Sequence, residues 1–104
     1  MNKRTKATSI SMTVRKDVYA RDQHCIFCGR SDRLETAHLI PRSKGGKGIE
    51  QNLAMACLWC HGLLDQSVNR PAMLIDFRRH LDSFYPEFTD NMRVYRKGEN
   101  NENK

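Results

Sequence analysis

The chain has no run of eighteen apolar residues, and no apolar stretch follows its Met1-Asn2-Lys3-Arg4-Thr5-Lys6 start. The first absence argues against a membrane-spanning helix. The second departs from the pattern of a secretory signal, so a cytoplasmic location with reduced thiols is expected. Aromatic residues make up 8% and hydrophobic residues 38% of the 104 positions. This amounts to one domain, with a core that is marginal on buried area alone. Acids are scarce as well: 12 against 18 Lys and Arg, for a formal net charge of +6. Residues 1–30 hold seven basic residues and two acids, residues 31–70 five and four, and residues 71–104 six and six. A basic N-terminal region suits a phosphate backbone, and it equally suits a solubilising surface. Charge alone does not choose between them.

Cysteine, by contrast, is present in an informative order. Cys25-Ile26-Phe27-Cys28 and Cys57-Leu58-Trp59-Cys60 form two CxxC pairs. In a reducing compartment such pairs are zinc ligands before they are disulfides. Each pair places two thiolates on a tetrahedral ion, and four thiolates leave no position open for substrate, so the site is structural. Metal binding would then supply stability that the thin core lacks. Between the pairs stand His38, the Gly45-Gly46 pair and Asn52. His61 follows the last cysteine directly, with Asp65 four residues later.

Local patterns sketch the elements. Residues 1–11 are polar and basic and are expected to be disordered. Thr13 can cap a helix over residues 14–21, with Val14 and Val18 on one face. Residues 33–40 read as a strand stopped by Pro41, and residues 42–50 as an irregular loop rich in glycine and lysine. A short return strand is expected over residues 52–56, then a helix from Leu58 carrying His61, Leu64 and Asp65. Asn69-Arg70-Pro71 starts another helix, whose Leu74, Phe77, Leu81 and Phe84 share an apolar face until Pro86. Residues 12–95 form the domain, and residues 96–104 a disordered polar tail. His24 and His80 read as surface residues, and Trp59 as packing on its zinc knuckle.

The run from residue 10 to residue 85 resembles the HNH endonucleases, a branch of the ββα-metal (His-Me finger) nucleases. The residues that carry the resemblance are Val14 to Asp22 as a lead-in helix, Cys25-x-x-Cys28-Gly29, Ala37-His38-Leu39-Ile40-Pro41-Arg42-Ser43, Gly45-Gly46, Asn52-Leu53 and Cys57-x-x-Cys60-His61. The small form with its glycine loop looks most like the bacteriophage and mobile-element type, acting in the bacterial cytoplasm, with phage or mobile-element proteins as conceivable partners. The resemblance implies an α+β fold: a hairpin and a helix forming the ββα-metal unit, pinned by the four-cysteine zinc and flanked by helices. It implies hydrolysis of DNA phosphodiester bonds, by nicking or double-strand cutting. His38 would be the general base, a role that suits a group titrating near neutrality. His61 and Asp65, one helical turn apart, would hold a catalytic Mg²⁺, Mn²⁺ or Ni²⁺. That ion would stabilise the departing 3′-oxygen, giving 5′-phosphate and 3′-hydroxyl ends. Asn52 would brace the loop against the metal helix and hold the base in orientation. Arg42, Lys44 and Lys47 would contact phosphates, which position a strand without reading its sequence.

One position departs from the pattern. Many relatives carry Asp or His immediately before the base, as a metal ligand, and here Ala37 has no ligand atom. The ion could rely on His61, Asp65, water and substrate phosphate, the arrangement favoured for Mg²⁺. Glu35, on the same strand face as Ala37, could reach it instead, or the site could be weak or dead. Two other readings stay open: a zinc-stabilised nucleic-acid-binding module without catalysis, and a partner-dependent subunit of a packaging or recombination assembly. RNA as substrate is also open.

Overall fold

A two-stranded antiparallel sheet, covered on both faces, organises the chain. The computed structural model describes residues 2–97. In chain order these form α1 (Lys3–Thr8), α2 (Met12–Asp22), β1 (Leu34–His38), β2 (Leu53–Cys57), α3 (Leu58–Asp65), α4 (Arg70–Phe84) and α5 (Asp90–Arg93). Short 3-10 turns at Arg42–Lys44 and Glu50–Asn52 lie in the connection between the strands. The fold is α+β, and β1, β2 and α3 make its ββα unit. Strand pairing runs from Leu34 opposite Cys57 to His38 opposite Leu53. No helix among the described residues is long and apolar enough to cross a membrane.

All five residues of β2 are buried, which explains its unbroken apolar run. Ala54 and Ala56 face the larger core with Ala37, Leu64, Met73, Phe77 and Leu81. Leu53 and Met55 face the opposite way, against Val18 of α2. A strand buried on both sides has no solvent face to alternate with, so its period-2 signal disappears.

The N-terminal segment departs from the disorder expected of residues 1–11: it forms α1. Asn2 caps it, its Oδ1 accepting from the Thr5 N–H at 2.7 Å. Its order comes from contacts distant in sequence. Ala7 O accepts from Gly48 N at 3.0 Å, and Arg4 Nη2 donates to the carbonyls of Arg42 and Ser43, each at 3.1 Å. A helix this short gains its stability from docking, which a local reading does not see. The next helix begins earlier than expected, and its cap is Ser11, not Thr13, with Ser11 Oγ accepting from Val14 N at 3.1 Å.

Two further expectations change. The buried stripe of α4 is Met73, Phe77 and Leu81, while Phe84 remains 47% exposed. His80 is not a plain surface residue: its Nε2 donates to Asp22 Oδ1 at 2.8 Å. The Asp22 side chain is fully buried. It also accepts from Arg21 Nε at 2.7 Å and Nη2 at 2.9 Å, and from the Met55 N–H at 2.9 Å. Arg21 in turn donates to the carbonyls of Glu50 and Leu53 and to the Tyr85 hydroxyl. This network ties α2 to β2 and to α4.

The C-terminal residues close the glycine loop. Lys47 N donates to Arg93 O, and Tyr95 N to Gly45 O, both at 2.8 Å. Arg93 is 1% exposed and donates to Gln51 O at 2.6 Å. The tail expected from Arg96 onward lies, from residue 98, outside the described residues.

Burial alone would raise the Asp22 carboxyl pKa. The donors from His80, Arg21 and Met55 outweigh it and hold the group down at about 2, from an ordinary 3.8. A depressed carboxylate stabilises the fold fully above its unfolded value and loses that contribution as pH falls toward its folded value. Asp22 thus contributes roughly 2 kcal/mol above pH 4, lost progressively toward pH 2. Asp22→Asn should cost about 3 kcal/mol at pH 7, because it strands the buried Arg21 cation. Urea unfolding of both proteins checks this, with a gap between the curves that is full at pH 6 and narrows below pH 4.

Candidate active site and metal centre

The two CxxC pairs converge although 28 residues separate them in sequence. Cys25 and Cys28 sit in the turns between α2 and β1. Cys57 ends β2 and caps α3, and Cys60 lies in the first turn of that helix. The four sulfurs lie within 4.8 Å of one another, and Cys28 Sγ is 3.7 Å from Cys57 Sγ. A tetrahedron with metal–sulfur bonds of about 2.3 Å has edges of about 3.8 Å, so the residues fit a thiolate-bound ion. Burial raises the Cys60 thiol, and the other three sulfurs push it up further. At Cys25 burial acts in the same direction, but backbone donors at Cys57, Cys28 and Phe27 outweigh it and bring the thiol down to about 7. Crowded sulfurs of this kind are stabilised by a cation between them. Trp59 does not bury itself on the knuckle. It stays 52% exposed, with the Arg30 guanidinium 4.4 Å above its ring.

The second site is a cleft of about 190 Å³ lined by His38, Leu39, Pro41, Arg42, His61, Leu64, Asp65 and Arg70. Four sequence candidates, His38, Arg42, His61 and Asp65, thus meet in one place. His38 comes from the end of β1, Arg42 from the turn after it, and His61 and Asp65 from α3. Lys44 and Lys47 lie on the neighbouring loop and do not line the cleft.

His61 projects from α3 directly behind Cys60, so an ion on the four cysteines would fix its position. Its Nδ1 donates to Glu35 Oε1 at 2.7 Å. A carboxylate only accepts, so this bond puts the proton on Nδ1 and leaves the Nε2 lone pair available. Asp65 is exposed and makes no hydrogen bond or ion pair among the described residues, Arg70 included. Arg70 instead donates to Leu64 O at 3.3 Å. His61 and Asp65 could hold a divalent cation between them. Among the described residues only the cysteines form a set of three or more metal-ligand groups. The remaining positions on such a cation would therefore fall to water or substrate oxygens, as hard cations accept.

His38 is half-buried, and its Nε2 lies 3.3 Å from Thr8 O. A carbonyl oxygen only accepts, so in this bond Nε2 carries the hydrogen and Nδ1 bears the lone pair. Burial lowers the His38 pKa below its ordinary 6.5. The Thr8 carbonyl works against that, while Arg42, His61 and Arg15 add to the lowering. The ring is therefore neutral at neutral pH and able to take up a proton.

Asn52 is fully buried. Its Oδ1 accepts from Ile40 N at 3.0 Å, and its Nδ2 donates to Ile40 O at 3.2 Å and Lys47 O at 2.9 Å. Its side chain thus ties the two ends of the glycine loop to each other, and none of these bonds reaches α3. Gly46 packs within the same loop, where a Cβ would lie 1.6 Å from Ile40 O. Ala37 is fully buried in the larger core, paired with Ala54. Sequence reasoning missed the Thr8 carbonyl and Arg70. Nothing in the polar run around Thr8 signals its docking, and Arg70 was not read as a residue of the site.

Residues 25–66 match the family model described as HNH endonuclease. No curated protein and no solved structure matches the chain. The matched segment contains both cysteine pairs, His38, Asn52, His61 and Asp65, so the similarity to HNH endonucleases covers the ββα unit and both candidate sites.

Proposed function

We propose that the protein is a metal-dependent DNA endonuclease with His38 as general base. The observation that carries this is the shared cleft: His38 and His61, from different elements, meet there with Asp65 and Arg42. His38 Nδ1 takes a proton from water as the water oxygen attacks phosphorus in line. The bond from phosphorus to the 3′-oxygen breaks, and that oxygen leaves with a proton from solvent, giving 5′-phosphate and 3′-hydroxyl ends. His61 Nε2 and Asp65 hold the catalytic cation, of the Mg²⁺, Mn²⁺ or Ni²⁺ class; when bound, it neutralises charge on the phosphate and on the departing oxygen. Glu35 holds His61 in the tautomer that binds metal. Arg42 steadies the phosphate from across the cleft, and Lys44 and Lys47 contact the backbone farther along the strand. The four cysteines hold zinc, which suits a cytoplasmic protein.

The glycine loop is the ground for the bacteriophage and mobile-element type. Nicking is as well supported as double-strand cutting. The competing reading is a binding module without catalysis, which the apolar Ala37 favours.

Supercoiled plasmid tests the proposal. Wild-type protein with Mg²⁺, Mn²⁺ or Ni²⁺ should nick it, and EDTA should abolish nicking. His38→Ala, matched for zinc content, should lose about 10² to 10⁴ in rate. The wild-type kcat/KM should rise with pH to a half-maximum below 6.5, since the His38 value is depressed. Equal cutting by the variant rules out His38 as base, and DNA binding without cutting by either protein favours the binding module. Glu35→Ala should raise the metal concentration for half-maximal activity about 10- to 100-fold, with Glu35→Gln intermediate. A metal titration of nicking reads this directly. Removing zinc with a strong chelator, or substituting Cys25→Ser, should abolish cooperative thermal unfolding followed by circular dichroism.

A further inference from the structure

We infer that the N-terminal segment, residues 2–11, is a working part of the active site and that the Thr8 carbonyl positions His38. This rests on the proposed role of His38 and goes beyond it, because the segment lies outside the matched residues 25–66. Thr8 ends α1, where helix carbonyls lack partners within the helix. It is 3% exposed, and its oxygen faces His38 Nε2 at 3.3 Å. That contact fixes which ring nitrogen carries hydrogen and how the ring is turned. Without it, either nitrogen could be protonated and the ring could rotate away from the attacking water.

The segment is held in place by contacts independent of His38. Arg4 clamps the carbonyls of Arg42 and Ser43. Gly48 N donates to Ala7 O at 3.0 Å, and Arg42 Nη2 reaches Ser9 Oγ at 3.4 Å. Ile10 packs against the Val18, Leu53 and Met55 cluster. The closest approach is at Gly48, where an added Cβ would lie 2.1 Å from Ser9 O and 2.6 Å from Ser9 C. Position 48 has no positive φ that would require glycine, so it is the docked segment that demands glycine there. The glycine loop thus serves as the seat of α1, and Arg42, which lines the cleft, also contacts that segment.

Two variants displace the segment: Gly48→Ala, and a truncation lacking residues 2–9. Both are compared with wild type in kcat and KM for plasmid nicking, zinc content, and long-range ¹H–¹⁵N spectra of the histidine rings. Lys3→Gln combined with Lys6→Gln removes two exposed charges while leaving α1 docked. The expected result is a kcat lower by about 10²-fold in both displaced forms, with unchanged zinc and loss of the Nε2–H signature of His38. The lysine variant should keep kcat and the signature and change KM alone. Unchanged kcat and His38 spectrum in the truncated protein overturn the inference. A rise in kcat also overturns it, marking the segment as a cover over the base. If wild type does not cut DNA, the nuclease reading falls and the spectra decide alone: loss of the Nε2–H signature on displacement upholds the coupling, and its persistence overturns it.

Discussion

Four sulfurs held within 4.8 Å of one another are the constraint on which the rest of the structure depends. Thiols this close need a cation to ionise together. With one in place, the turns between α2 and β1 would be tied to the end of β2 and to the first turn of α3. Cys57 belongs to the strand and also caps the helix, its sulfur accepting from Cys60 N at 3.4 Å. The direction of α3 is therefore set where it leaves the sheet. His61 follows Cys60 and inherits that direction. A structural ion bound there, touching no substrate, would thus determine where the second histidine sits relative to the first.

The other half of the cleft depends on the connection between the strands. Residues 39–52 carry little regular structure, and polar bonds from buried groups hold them. Asn52 closes the loop on Ile40 and Lys47. The backbone around Arg93 and Tyr95 pins it from one side, and α1 pins it from the other. A small domain with a thin apolar core tolerates such a loop only if its backbone groups are satisfied, because each unpaired buried group costs about 1–3 kcal/mol. The segment 2–11 and the residues around Arg93 and Tyr95 therefore both serve the loop that carries Arg42 and follows His38.

The parts of the fold legible in sequence were those set by local chemistry. The cysteine spacing announced the four-sulfur cluster, Pro71 the start of α4, and Pro41 the end of β1. The helix carrying His61, Leu64 and Asp65 was legible because it begins directly after a cysteine fixed by its pair. What escaped was set by contacts distant in sequence. The segment 2–11 has no apolar periodicity, and its helix exists because Gly48 and the Arg42 carbonyl receive it. His80 looked like a surface residue because its partner, Asp22, lies 58 positions away. Phe84 fitted the helical period of the buried stripe, yet as the last residue of α4 it stays half-exposed, against His80, Tyr85 and the Arg21 guanidinium. In the candidate site, side-chain identities were legible, while the backbone oxygen facing His38 was not, since every residue carries one.

Ala37 gains a physical reason from this architecture. It pairs with Ala54 in the larger core, and both are fully buried. Two small residues side by side let α3 pack closely on the sheet, and a longer side chain at position 37 would have to displace that packing. Two positions earlier on the same face, Glu35 is at the exposed end of the strand and bonds His61. A carboxylate there orients a ligand and does not crowd the helix. If His61 holds the proposed cation, Glu35 would act on it through the imidazole and not by direct coordination. A cation held by His61 and Asp65 alone keeps more of its water shell, which suits small hard ions reluctant to dehydrate. It also leaves more of the coordination sphere to the phosphate, so cation and substrate would bind cooperatively, each completing the site for the other.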